Sequence, residues 1–178
     1  MLLRHSPFVF AAAFGLSGCG LISQDFDGQI TVNWSVDDED NLYNTPFTVD
    51  TNSNPDIRDN RDKIVENSGN VRSISINITR LDPTNRAQLG FGLVFMREVD
   101  GPAFPPETEE NALASFSGVP LEEGQVFRVS MTPAQRLLAA DLIFRAPVIE
   151  VKFVGGTDVG PVRFDAQAIF EVEFTASL

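Results

Sequence analysis

The chain has 178 residues, 43% of them hydrophobic, with 25 acidic against 13 basic side chains and a net charge of −12, a surface that repels nucleic acid and anionic lipid headgroups. The single histidine and single cysteine, His5 and Cys19, both stand within the first 20 residues. The rest of the chain therefore has no imidazole and no thiol, which excludes Ser-His-Asp and Cys-His catalysis there and zinc sites built on those ligands.

Residues 1 to 16 begin with a positive head, Met1-Leu2-Leu3-Arg4, and continue through the apolar run Pro7-Phe8-Val9-Phe10-Ala11-Ala12-Ala13-Phe14-Gly15-Leu16. This is the layout of a secretory signal. A membrane span needs about 20 apolar residues, and this run is shorter and interrupted by Pro7. Its end, Leu16-Ser17-Gly18-Cys19, resembles the lipobox of bacterial lipoproteins, in which one aliphatic and two small residues precede an invariant cysteine. The resemblance covers residues 1 to 20. It implies cleavage between Gly18 and Cys19, a diacylglycerol thioether on Cys19 and acylation of its new amine with palmitate-like chains. One acyl chain binds a membrane marginally, whereas two or more hold it stably. Gly20 follows the cysteine, and enteric lipoproteins kept in the inner membrane carry Asp there, so the resemblance implies delivery to the outer membrane.

Removing residues 1–18 leaves 160 residues, enough for one domain with a substantial core. It takes away one arginine and no acid, so the net charge moves to −13. The expected organisation is a signal peptide at 1–18, a lipidated tether at 19–28 and one domain at 29–178.

The first strand is expected over 29–36, where Ile30, Val32, Trp34 and Val36 alternate with Thr31, Asn33 and Ser35. The acidic run Asp37-Asp38-Glu39-Asp40 reads as a solvated turn. A less regular strand is expected at 47–49.

Residues 50–63, DTNSNPDIRDNRDK, form the densest polar stretch. Asp50, Asn52 and Asn54 have the spacing with which calcium loops begin, and Asp56 follows. Calcium takes six to eight oxygen ligands, and the stretch partly resembles EF-hand and thrombospondin-type loops. Pro55 and Arg61, however, occupy the positions where an EF-hand has glycine and glutamate. The alternative is a short helix capped by Asn54, with Pro55 in its first turn and i, i+4 pairs Arg58/Asp62 and Asp59/Lys63. Ile57 and Ile64 would then share a buried stripe. The helix is the favoured reading, and no cofactor is expected.

Further strands are expected at 71–81, 89–96, 112–119, 126–131 and 148–154, and one through Phe170, Val172 and Phe174, most with period-two alternation. In the second of these, Gly90 and Gly92 lie opposite Leu89, Phe91, Leu93 and Phe95. The pair marks either a bend or bulge, which is favoured, or a close approach by another backbone, a ligand or a partner. Asp100 to Asn111 is an acidic, proline-bearing loop. Thr132-Pro133-Ala134-Gln135 has the cap, proline and glutamine that open a helix, expected through Phe144 with Leu137, Leu138 and Leu142 facing the core. The 12 phenylalanines after the signal read as core.

These elements specify a mainly β chain, an antiparallel β-sandwich of seven or eight strands with one short helix before the last two strands. The expected role is a non-catalytic binding or structural accessory of the envelope, acting on an unidentified envelope protein or glycan, with the membrane itself bound through Cys19. The competing class is a lipid-anchored hydrolase working with carboxylates, with or without calcium. An exposed apolar patch or unpaired sheet edge would favour the first, and two acidic side chains converging in a deep pocket the second.

Overall fold

A computed structural model describes residues 23–66 and 68–177. Eight strands form two four-stranded antiparallel sheets packed as a sandwich. The first sheet has the order β1-β8-β3-β6 and the second β2-β7-β4-β5. The strands are β1 (Ser23–Asp38), β2 (Leu42–Asp50), β3 (Asn70–Leu81), β4 (Leu89–Glu98), β5 (Ala114–Pro120), β6 (Val126–Arg128), β7 (Val148–Thr157) and β8 (Val162–Ser177). Two α-helices interrupt them, α1 (Pro55–Asn60) and α2 (Pro133–Arg145), the latter just before β7 and β8 as the sequence predicts.

The central strand β8 alternates buried and half-buried residues over all 16 positions. It runs eight residues further toward the N-terminus than the Phe170–Phe174 segment expected from bulky residues. The added part alternates through Ala166 and Ala168, whose small side chains lie between bulky partners: Ala166 pairs with Trp34 on β1 and Ile78 on β3. Trp34 crosses the interior to stack on Phe153 of β7, with ring centroids 4.6 Å apart and planes at 1°, while Phe164 meets it edge-on at 5.5 Å.

The same stack sets the two sheets against each other lengthwise. β1 begins eleven residues before Trp34, whereas β7 begins only five before Phe153. The β1–β8 ribbon therefore overhangs the second sheet by about six residues, roughly 20 Å. On this overhang Phe26 stacks on Phe174 at 5.0 Å, and Phe144 of α2 packs on Phe174 at 5.1 Å. The tether expected over residues 19–28 is corrected accordingly. From Ser23 onward the chain is strand, paired with β8 residue by residue, because Phe26 and Ile30 continue the apolar alternation past Gly28.

The molecule thus has two ends. At the helix end lie Ser23, Ser177, α1 and α2. At the loop end the turns 39–41, 82–88 and 158–161 are tied together, with Thr157 N–H donating to Asn41 O (2.8 Å), Arg86 N–H to Pro161 O (3.1 Å) and Asp158 N–H to Leu89 O (3.1 Å).

α2 opens with the predicted capping box: the Gln135 N–H donates to Thr132 Oγ1 (3.3 Å) and the Thr132 N–H to Gln135 Oε1 (2.7 Å). Its buried face differs from expectation. Leu142 is buried, but Leu137 and Leu138 are 54% and 53% exposed, and the inner face is built on Ala139, Ala140, Ile143 and Phe144. Small residues win because the helix lies close on the start of β3, where a Cβ on Gly69 would stand 2.4 Å from the Phe144 ring.

Candidate functional surfaces

The polar stretch 50–63 is built as scaffold. Asp50 accepts from the Asn52 N–H (2.9 Å) and caps a 3-10 turn, and Asn54 caps α1 by accepting from the Ile57 N–H (3.1 Å). The Asn54 amide also donates to Gln29 O on the outer edge of β1 (3.2 Å). Asn52 Oδ1 accepts from the Arg61 guanidinium (3.0 Å), which also donates to Thr51 Oγ1 (2.6 Å) and to the last α2 carbonyls, Ile143 O (3.1 Å) and Phe144 O (2.6 Å). Burial lowers the pKa of this guanidinium from its ordinary value. A cation of the protein itself therefore holds Asn52 Oδ1, one of the oxygens that the calcium spacing suggests as ligands. Asp56 is exposed on α1. Among the described residues no three His, Cys, Asp or Glu side chains are grouped to hold a metal ion. The expected i, i+4 pairs do not form. Arg58 bonds its chain neighbour Asp59 at 2.7 Å, because the helix ends at Asn60 before Asp62 and Lys63 come onto the same face. Ile57 is fully buried and Ile64 is packed against the core, as the helix reading requires.

The outer face of the second sheet is divided in two. Near the helix end it is covered by the loop 100–111. Phe104 of that loop lies under two cations, Lys152 Nζ at 4.4 Å and the Arg97 guanidinium at 5.0 Å from its ring centroid. Lys152 Nζ also bonds Glu107 Oε1 (2.6 Å), which accepts a second bond from Asn44 (3.1 Å). The ammonium bond holds the Glu107 carboxyl below the usual carboxylate range. Arg97 Nε bonds Glu150 Oε2 at 2.7 Å. The loop thus covers Phe95 and Lys152, which are 1% and 9% exposed although they sit on the sheet's outer side. Composition marks this loop only as acidic; the signal it carries is one aromatic residue and one glutamate placed opposite the cations of β4 and β7.

Toward the loop end the same face is apolar and left bare by the described residues. Leu42, Gly156 and Phe91 lie in one row across β2, β7 and β4, with Leu89 two residues along from Phe91. Leu42 is 62% exposed, Phe91 47% and Leu89 46%. Gly90 and Gly92 point inward, and the β4–β5 register shifts between them as the bulge reading requires; the space a Cβ on Gly92 would take is filled by the Phe116 ring, 2.7 Å away. Tyr43 fills the space beside them, its hydroxyl donating to Phe91 O at 3.1 Å, and burial pushes its phenol pKa up.

Three surface carboxylates face arginines. Asp37 bonds Arg163 at 2.8 Å, Glu39 bonds the same guanidinium, and Glu98 bonds Arg145. Gly18 and Cys19 lie outside the described residues. Among the described residues no helix is long and apolar enough to cross a membrane.

No family model matches the sequence, and no curated protein matches it. Among solved structures, a chain from Desmodium yellow mottle tymovirus aligns over 100% of this chain and 92% of its own, at 11% identity and a TM-score of 0.41. One from turnip yellow mosaic virus aligns over 98% and 92%, at 10% identity and a TM-score of 0.33.

Proposed function

We propose that this protein is a lipoprotein of the bacterial envelope, held in the outer membrane by acyl chains on Cys19, where it serves as a non-catalytic binding or structural accessory. The observation that carries the reading is Leu16-Ser17-Gly18-Cys19 after a short apolar core, with that cysteine the only one in the chain. A lone thiol in an oxidising compartment has no disulfide to make, and thioether attachment gives it a use.

The accessory role is supported by the bare apolar row of Leu42, Phe91 and Leu89, displayed on a rigid sheet rather than in a pocket. A hydrolase needs two carboxylates aimed at one bond. Here Asp37 and Glu39 share Arg163, Glu150 faces Arg97 and Glu107 faces Lys152, so these carboxylates are engaged with cations instead.

The test is metabolic labelling of cells that express the chain with and without Cys19→Ala. The native chain should incorporate labelled palmitate and sediment with membranes. The variant should remain an unprocessed, unlabelled precursor; a labelled variant would refute the assignment of the anchor to Cys19.

A further inference from the structure

We propose that the helix end of the sandwich sits on the lipid surface, with the outer side of α2 around Leu137 in contact with the bilayer interface. The inference rests on the lipid-anchor reading and adds which face of the domain meets the membrane.

Covalent length makes the first part of the argument. Cys19 precedes Ser23, the first residue of β1, by four residues, and four residues span at most about 14 Å. Ser23 pairs with Ser177 at the helix end. The opposite end of β1, Asp38, is fifteen residues further along the strand, about 50 Å away. Acyl chains on Cys19 therefore bring the helix end against the headgroups and hold the bare row of Leu42, Phe91 and Leu89 well out from them.

The chemistry of that end is the second part. The first half of α2 exposes Pro133, Ala134, Leu137 and Leu138 and carries no acidic residue before Asp141. Leu137 lines a shallow, largely apolar hollow with Pro133, Met131, Arg136 and Asn70, the first residue of β3. Val65 is 39% exposed, and its N–H donates to Thr175 O (2.8 Å), two residues before the end of β8. Two acids of the overhang face a cation, Asp27 bonding Arg72 at 2.8 Å and Glu173 bonding Arg72 and Asn70. Asp25 accepts from the Thr175 hydroxyl at 2.7 Å, and Glu66 beside Val65 is exposed. The buried side of α2 is apolar as well, so what meets the headgroup boundary is an exposed apolar patch, Leu137 and Leu138 beside Arg136, with its side chains toward the acyl chains. The overall negative charge selects a zwitterionic surface over an anionic one. The short tether decides among occupants: a second copy or another protein on this face would have to fit between the domain and a membrane at most about 14 Å from Ser23.

The test uses the lipidated chain carrying Leu137→Cys, labelled with an environment-sensitive fluorophore and reconstituted in phosphatidylcholine vesicles. The only other thiol, Cys19, is consumed by the lipid. Val159→Cys, at an exposed position of the loop end, is the matched control. The expected result is blue-shifted emission and quenching by nitroxide-labelled lipids for the probe at 137, with neither for the probe at 159. Water-like emission at 137, or shielding there without lipid quenching as a covering protein would give, overturns the seating while leaving the anchor intact. A chain that carries no lipid and does not float with the vesicles removes the anchor reading, and the seating falls with it.

Discussion

Trp34 shows how much one side chain settles. It sits on the most regular alternating strand of the sequence, and its ring joins β1 to β7 by stacking on Phe153 and Phe47 and meeting Phe164 edge-on. Its indole N–H is buried without a hydrogen-bond partner, which costs stability; the aromatic packing outweighs that cost. Replacing Trp34 by alanine should remove about 3–5 kcal/mol, as large core truncations do. A denaturant titration measures it, and native tryptophan emission should be blue-shifted and hard to quench. Red-shifted, readily quenched emission would contradict the placement. The residues that sequence reading misplaces are instructive in the same way. Leu137 and Leu138 look like core by bulk, but close packing of α2 on β3 selects Ala139 and Ala140, and size-based reading overlooks small residues. Phe104 and Lys152 were not legible as a pair, because 48 positions separate them and only the folded sheet brings them together.

Among the elements, those with strict period two were legible, since alternation is what one buried face demands of a strand. α2 was legible through its capping box, a local signal complete within four residues. The ends of β1 and β8 were not: at the overhang the second layer is supplied by helices, not by another strand, and β8 continues through alanines. The stretch from Asp50 to Lys63 offered two readings from the same letters, and the folded chain uses Asn54 as a cap and Arg61 as a clasp on the end of α2. Asn54→Ala should cost about 1 kcal/mol from the lost cap, with a further loss from the bond to Gln29 O, lowering the melting temperature by about 2–4 °C per kcal/mol. The melting temperature of the native domain should be the same in millimolar calcium and in chelator. A calcium-dependent rise abolished by Asp50→Ala and Asp56→Ala would instead make the stretch a metal site.

At the scale of the whole molecule, the sandwich was legible in the sequence, while the division of surfaces was not. Which end carries the start of β1, which half of the second sheet the loop covers, and which leucines stay exposed all depend on long-range pairing that composition does not encode. The account joins these to a single chemical event at Cys19. The measurement that bears on it most directly is the intact mass of the protein extracted from native membranes, with sequencing of its N-terminal peptide. The account predicts a chain that begins at Cys19 and carries a diacylglycerol thioether and an amide-linked acyl chain. An N-terminal peptide that retains residues before Cys19, or one that begins at Cys19 with an unmodified thiol, would contradict it.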